Sequence, residues 1–137
     1  MITAYQSGDA FKVEVQDEQK EEAEKFASFF DGIKAYSLID NDGNIIAVCG
    51  YIINENKEGE CFALLGKKCG RKMIEFVRFG QKEIPRVMRL YGLKRGLMTV
   101  RKGFLAGERL AHLFGFYAVG LLENFYLNND YQLYERN

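Results

Sequence analysis

The sequence predicts an α/β protein of the α+β type, a mixed, mostly antiparallel central sheet with helices on both faces. One observation is a hairpin signal: apolar runs "IKAYSLID" and "NIIAVCGYII" flank "DNDG", whose Asn and Gly tolerate the positive φ of a tight turn. Another is that strand-like and helical periodicities alternate along the chain. The third is a composition of 47% hydrophobic and 28% charged residues, typical of a folded protein. Without repeats or a linker, residues 1–137 are predicted to form one domain.

The first third of the chain is predicted to contain a strand and a helix. "FKVEV", Phe11–Val15, alternates apolar and polar residues as a strand does. Asp17 is predicted to cap a helix whose apolar positions are spaced i, i+3, i+4, i+7. The predicted inward positions of this helix are Ala23, Phe26, Ala27 and Phe30.

The middle of the chain is predicted to continue as a meander and a helical segment. The hairpin covers residues 37–53 and turns at Asn41–Asn44, and a third strand lies near Cys61–Leu65. Segment 70–92 has helical periodicity. Gly80 and Pro85 favour a break within it, so two helices are predicted.

The last third predicts a strand, a helix and two further strands. "GLMTV" is the strand, and "FLAGERLAHLF" is a helix ended by a left-handed Gly115. "FYAVGLLE" and "YQLYE" close the chain, so the predicted order is β-α-β-β-β-α-β-α-β-β. The helix is predicted to face inward with Ala106, Leu110, Leu113 and Phe114, and outward with Glu108, Arg109 and His112.

Charge is unevenly distributed although the net charge is zero. Residues 1–65 hold five Lys/Arg against thirteen Asp/Glu, whereas residues 66–102 hold twelve against two. The basic segment indicates an anionic ligand, nucleic acid or an acidic partner surface. The alternative is that the acidic first third neutralises it in the fold, or that the cations line a solvated helix face. Nucleic acid ranks last, because no exposed aromatic residues are interleaved at base-stacking spacing.

Other classes of protein are not indicated. No run approaches the roughly 18 apolar residues of a membrane span, and the N-terminus lacks a secretory pattern, so a cytoplasmic protein without membrane contact is expected. Cys49, Cys61 and Cys69 show no metal-ligand spacing, and His112 is the only histidine, so no metal site is expected. Cys69 is the one thiol beside basic residues, which would lower its pKa.

The element order, ending in helix–"GF"–strand, resembles the GNAT acyltransferase superfamily over almost the whole chain. Three stretches carry the likeness: the hairpin "YSLIDNDGNIIAVCGYII", the strand–loop–helix "CFALLGKKCGRKMIEFV", and "RLAHLFGF". The short form is also similar to small GNAT-like proteins encoded by bacteriophages and prophages. The resemblance implies binding of acetyl-coenzyme A and transfer of its acetyl group to an amine acceptor.

The resemblance also implies a coenzyme-binding loop. In the family this loop reads Gln/Arg-x-x-Gly-x-Gly/Ala, and its backbone N–H groups grip the pyrophosphate. Lys67 stands at the basic first position and Gly70 at the central glycine, with donors expected from Arg71 and Lys72. Lys72 departs from the small final residue, and its long side chain is expected to crowd the phosphate. The implied coenzyme-binding residues are Leu65, Gly66, Lys67, Lys68, Cys69, Gly70, Arg71 and Lys72.

Catalytic groups match the family less closely. Transfer to an amine needs a proton acceptor for the amine and a donor for the departing thiolate. Glu60, at the start of the strand before the loop, is the candidate base, and Tyr117 and Tyr126 are the candidate donors. The family's usual helical Tyr is replaced here by Ala111. The alternatives are therefore a working acetyltransferase and a GNAT-fold structural or interaction protein without catalysis, of phage or prophage origin, with direct nucleic-acid binding as a third.

Overall fold

The computed structural model describes all 137 residues. The strands are β1 (Ile2–Ala4), β2 (Lys34–Ile39), β3 (Ile45–Ile53), β4 (Glu58–Leu65), β5 (Arg95–Arg101), β6 (Tyr117–Tyr126) and β7 (Asn129–Arg136). The α-helices are α1 (Lys20–Phe26), α2 (Lys72–Leu90) and α3 (Leu105–Leu113). The sheet order is β1-β2-β3-β4-β5-β7-β6. β4 pairs with β5 in parallel, while β1–β2, β2–β3, β5–β7 and β6–β7 are antiparallel, so the predicted mixed, mostly antiparallel sheet is confirmed.

The chain forms two compact units. The first comprises Met1–Ile52 and Phe62–Phe79, and the second comprises Ile53–Cys61 and Gly80–Asn137. That residues 1–137 form a single domain stays a prediction. None of the helices combines the length and the apolar character that crossing a membrane requires.

In the first unit, helices cover both faces of the sheet. Ala35 of β2 lies in a buried core with Ala27 and Phe30 of the first helical region. The next residue, Tyr36, packs its ring edge-on against Phe79 of α2, with ring centroids 4.8 Å apart. Successive strand residues point to opposite faces, so the two helical regions lie on opposite sides, as predicted.

The strand predicted at Phe11–Val15 is wrong. Asp9–Lys12 forms a 3-10 helix, and in the predicted stretch only Val15 makes a β-bridge, to Gly66. The edge strand β1 was not predicted at all. Its three residues are too few to show a periodicity, and its pairing with β2 is a long-range contact.

A buried acid holds the start of the chain in this turn. The Asp9 side chain is only 4% exposed. Its Oδ2 accepts hydrogen bonds from the Ser37 hydroxyl at 2.7 Å and from the Gln6 N–H at 3.0 Å. A buried carboxylate needs such partners, and neither is visible in the apolar–polar alternation of "FKVEV".

The first helix differs from its prediction in both cap and length. Asp17 does not cap it but begins a separate 3-10 helix, Asp17–Gln19, and α1 ends at Phe26. Residues Ala27–Gly32 continue as a 3-10 helix. The tighter winding changes which side chains face inward: Ala27 and Phe30 are buried as predicted, whereas Phe26 is only partly buried.

Segment 70–92 forms one helix instead of the predicted two. α2 runs through both Gly80 and Pro85. An ideal Cβ at Gly80 would lie 2.2 Å from the Phe114 ring, so this glycine allows close packing and does not break the helix. Pro85 cannot donate a backbone hydrogen bond to the helix. The burial of Phe76 before Gly80 and of Val87 after Pro85 stabilises the continuous helix by more than this loss.

The hairpin and the later elements follow the predictions closely. The β2–β3 turn is closed by the Asp40 N–H donating to the Asn44 carbonyl at 3.0 Å, with Gly43 at φ +84°. β4 begins at Glu58, three residues before the predicted start.

The end of α3 is also as predicted, with one exception. Gly115, at φ +86°, donates its N–H to His112, and Phe116 donates to Ala111, which together form a Schellman motif. Leu113, predicted to face inward, is 51% exposed. The helical spacing places it at the margin of the buried stripe, where solvent reaches it.

Candidate functional site

The basic loop between β4 and α2 presents a row of free backbone donors. No hydrogen bond within the chain engages the N–H groups of Lys68, Gly70 and Arg71. The loop leads directly into Lys72, the first residue of the 19-residue helix α2. A helix N-terminus carries a partial positive charge, so these donors suit an anion.

The conformation of Gly70 keeps this row of donors accessible. Its φ is +49°, and no atom lies within 4 Å of the position that a Cβ would take. Lys72 does not supply a donor as expected, because its N–H donates to the Cys69 carbonyl at 2.9 Å. Its side chain does not crowd the loop either, since Nζ donates to Asn41 Oδ1 at 3.2 Å.

Leu65 and Gly66 have structural roles in the first unit. Leu65 is 1% exposed. The Gly66 N–H donates to the Ile46 carbonyl at 2.9 Å, and an ideal Cβ at Gly66 would stand 2.2 Å from the same oxygen. Their predicted contact with a coenzyme stays a prediction.

Two of the loop's cations are paired with acids from the first third of the chain. Lys67 Nζ lies 3.0 Å from Asp17 Oδ1, and Lys68 Nζ lies 3.5 Å from Glu14 Oε2. The hydrogen bond from Lys67 holds the pKa of Asp17 below its usual value, and the same bond raises the pKa of Lys67. The alternative to anion binding was that the acidic first third of the chain neutralises the basic segment. This neutralisation occurs at Lys67 and Lys68. Arg71 has no such ion pair.

The acids belong to a segment that lies along β4. We call residues Glu14–Gln19 the N-terminal strap. Its backbone pairs with the end of β4: the Lys67 N–H donates to the Glu14 carbonyl at 2.8 Å, and the Gln16 N–H donates to the Leu65 carbonyl at 3.0 Å. The strap is thus a short antiparallel partner for the strand that enters the loop.

Gln19 completes the contact between the strap and β4. Its side-chain Nε2 donates to the Ala63 carbonyl at 2.9 Å, and its Oε1 accepts from the Leu65 N–H at 2.8 Å. The residue is only 5% exposed. Gln19 was not predicted as a site residue, because its partners lie 44 and 46 positions along the chain and no local pattern marks them.

These bonds all lie on one edge of β4. Gly66 directs its N–H toward β3, and backbone groups of successive residues alternate between the two edges. The groups of Ala63, Leu65 and Lys67 therefore lie on the edge away from β3. The strap occupies this edge at the end of β4 that leads into the loop.

Cys69 is not an activated thiol. It is 5% exposed, and its Sγ donates to the Ile46 carbonyl at 3.1 Å. Burial raises the pKa of Cys69, contrary to the lowering expected from its basic neighbours. Burial likewise raises the pKa of Cys61 to about 12.

In the second unit, Glu60 and Tyr117 lie in one row across the sheet. Glu60 is in register with Leu97, Leu97 with Glu135, and Glu135 with Tyr117. Residues in register share a face, so both side chains point to the same side of the sheet. Three strand spacings separate their Cα atoms by roughly 14 Å. That separation excludes a direct hydrogen bond between Glu60 and Tyr117, and the side chains of Leu97 and Glu135 lie between them on the same face.

Tyr126 does not join this row. It lies at the opposite end of the ten-residue strand β6 from Tyr117, roughly 30 Å away for an extended strand. Its ring packs against Tyr131, with centroids 6.3 Å apart. The two predicted proton donors therefore cannot serve the same reacting atom.

Ala111, at the position where the resemblance to GNAT acyltransferases implies a Tyr, is fully buried. Ala111 is 0% exposed, so a large side chain at this position would have to displace its neighbours. His112 is exposed, as predicted. Its ring meets Tyr134 edge-on at 5.6 Å.

Comparison with known proteins places the fold. No family model and no curated protein matches the sequence. Among solved structures, the chain is similar to a protein provisionally described as a phosphinothricin N-acetyltransferase, with 16% identity and a TM-score of 0.73 over 100% of this chain and 97% of that one. It is also similar to an acetyltransferase of the GNAT family from Bacillus anthracis, with 13% identity and a TM-score of 0.71 over 98% and 92% of the two chains.

A third similar structure is the ribosomal-protein-S5-alanine acetyltransferase from Vibrio fischeri, with 14% identity and a TM-score of 0.69 over 98% and 91% of the two chains. A point variant of spermidine N-acetyltransferase from Vibrio cholerae is similar as well, with 14% identity and a TM-score of 0.66 over 99% and 94%. At these identities the likeness concerns the fold, and the chain has the fold of GNAT acetyltransferases.

Proposed function

We propose that this chain binds acetyl-coenzyme A through the loop between β4 and α2 and transfers the acetyl group to an amine. The observation that carries the proposal is the set of free N–H groups of Lys68, Gly70 and Arg71 at the start of α2. Arg71 adds an unpaired cation beside these donors. The structural neighbours named above are acetyltransferases, which supports the same ligand.

The residues present can hold a pyrophosphate. The free backbone donors lie within four successive residues, and the open space at Gly70 lets an anion approach them closely. Acetyl-coenzyme A held by these donors would supply an acetyl thioester, and transfer of its acetyl group to the amine would form a C–N bond and break the C–S bond. Glu60 takes the proton that the amine loses, and Tyr117, on the same row, donates a proton to the thiolate. Ala111 supplies neither function.

The binding prediction compares two glycines with the same backbone strain. Gly70 has φ +49° and Gly92, just beyond the other end of α2, has φ +61°, and the Cβ space is open at both. Ala at either site costs roughly 1–2 kcal/mol of stability, because an L-residue disfavours this region. We expect Gly70→Ala to weaken acetyl-coenzyme A binding about tenfold or more, since the added methyl group would fill part of the open space through which a phosphate would reach the donors. Titration calorimetry measures the affinity.

Gly92→Ala is the control. It should leave the affinity for acetyl-coenzyme A unchanged, because Gly92 shares the backbone strain of Gly70 but does not lie in the loop. Wild type at one hundred times its dissociation constant should gain about 2.7 kcal/mol of thermal stability. If Gly70→Ala binds as tightly as wild type, the loop does not grip the phosphates.

The catalytic prediction separates the two tyrosines. Glu60→Gln should lower the acetylation rate by about a hundredfold, because an amide cannot accept the amine proton. Tyr117→Phe should also lower kcat, whereas Tyr126→Phe should not, since Tyr126 lies at the far end of β6. Release of free coenzyme thiol is measured with spermidine and with a peptide beginning with alanine as acceptors. Full activity in Glu60→Gln, or loss of activity in Tyr126→Phe alone, contradicts the assignment.

Two alternatives have observations of their own. The buried Ala111 and the strap on β4 support the alternative of a GNAT-fold protein that has lost catalysis and serves in interaction. Its phage or prophage origin stays a prediction. The exposed cations Arg78, Lys82 and Arg89 along α2 favour nucleic acid. Salt-dependent oligonucleotide binding without any thermal shift from acetyl-coenzyme A would select the latter.

A further inference from the structure

The N-terminal strap is fastened along the end of β4 that leads into the loop by both backbone and side-chain hydrogen bonds. Two main-chain hydrogen bonds, at 2.8 and 3.0 Å, fasten it to Lys67 and Leu65. Gln19 adds two more, at 2.9 and 2.8 Å, to Ala63 and Leu65. Four backbone groups on this end of the β4 edge are therefore already bonded within the chain: the Ala63 carbonyl, the Leu65 N–H and carbonyl, and the Lys67 N–H.

The strap also places negative charge at the loop. Asp17 and Glu14 meet Lys67 and Lys68, two cations that a phosphate would use. Their carboxylates are exposed, so each pair contributes little stability by itself. An incoming polyphosphate would compete with them for the same two ammonium groups.

We propose that the strap is an intramolecular gate, fastened by Gln19, that must release the β4 edge, Lys67 and Lys68 before a coenzyme can engage them together with the free donors of the loop. This inference rests on the proposed function, because it concerns access to the same loop. Apparent affinity equals the intrinsic affinity multiplied by the fraction of molecules whose strap is open. Weakening the strap therefore raises the apparent affinity for acetyl-coenzyme A.

A structural brace would behave in the opposite way. If the strap only supports the loop, its removal lets Lys67 and the loop backbone move, and affinity falls. If the strap is a gate, ligand binding breaks the strap's hydrogen bonds, and the amides of Gln16 and Lys67 lose protection. The two roles differ in the sign of both measurements.

The first test is the affinity of Gln19→Ala for acetyl-coenzyme A by titration calorimetry. Loss of two hydrogen bonds is expected to tighten binding about tenfold. Gln81→Ala is the matched control, because it removes a single glutamine-to-carbonyl bond, of 3.0 Å to Leu113, and leaves the strap intact. Its affinity should equal that of wild type.

The second test needs no variant. Hydrogen exchange of wild type should show faster exchange at the Gln16 and Lys67 amides when acetyl-coenzyme A is bound, and slower exchange at Gly70 and Arg71. Unchanged or slower exchange at Gln16 and Lys67 overturns the gate even if Gln19→Ala does not fold.

The outcomes separate the gate from the proposed function. Tighter binding by Gln19→Ala, or binding by Gln19→Ala alone, supports the gate and the coenzyme together. Binding by wild type with equal or weaker binding by Gln19→Ala overturns the gate and leaves the function standing. If neither protein binds at millimolar acetyl-coenzyme A, the proposed function fails, and the gate fails with it.

Discussion

Phe30→Ala is expected to lower the free energy of unfolding by about 3–5 kcal/mol. Phe30 is 2% exposed, and its ring lies among other aromatic rings, 6.2 Å from Tyr5 and 6.4 Å from Phe29. Truncation removes this buried surface and leaves a cavity in the core of the first unit. Urea denaturation, monitored by circular dichroism, measures the change.

Phe26 provides the matched control one helical turn earlier. It is only partly buried, because α1 ends there and the chain tightens into a 3-10 helix. Phe26→Ala should therefore cost less, below about 2 kcal/mol. If the two variants lose the same free energy of unfolding, the two rings contribute equally to the core. That result would contradict the prediction from their different burial.

Gly66→Ala is expected to cost about 3 kcal/mol, at the upper end for an overpacked site. Its Cβ would stand 2.2 Å from the Ile46 carbonyl oxygen, and backbone on both sides leaves no flexible group to move away. The shift would also disturb the hydrogen bond between Gly66 and Ile46. Thermal and chemical denaturation measure the loss.

Gly32→Ala tests whether the effect comes from the close approach. Gly32 also lies in the first unit, has no atom within 4 Å of its Cβ position, and does not have a positive φ. Its replacement should be neutral or stabilise slightly, since Ala restricts the unfolded chain. If the free energies of unfolding of Gly66→Ala and Gly32→Ala differ by less than about 1 kcal/mol, the backbone at Ile46 can move away from the new methyl group at little cost.

Much of the fold could be predicted because its signals are local. The β2–β3 hairpin depends on Asn and Gly in the turn, and the end of α3 depends on Gly115 in a left-handed conformation. Both requirements act within a few residues. The wrong predictions, by contrast, involve distant partners: Asp9 is held by Ser37, and Gly80 is packed against Phe114.

The candidate site divides in the same way. The position of the loop, its basic residues and the glycine at its centre could be predicted from the sequence. The burial of Cys69, the hydrogen bond made by the Lys72 N–H and the diversion of its side chain to Asn41 could not. Each depends on how neighbouring elements pack.

The sequence by itself determined the order of most elements and the place of the loop, because turn residues, apolar spacing and charge runs act locally. Only the tertiary structure decided which loop groups are free. It joins the strap to β4 through Gln19, pairs Lys67 with Asp17, and leaves the donors at Gly70 and Arg71 unengaged. Backbone hydrogen bonds between segments more than forty residues apart carry no local signature. The tertiary structure therefore decides which backbone groups and cations of the basic loop are bonded within the chain and which remain free.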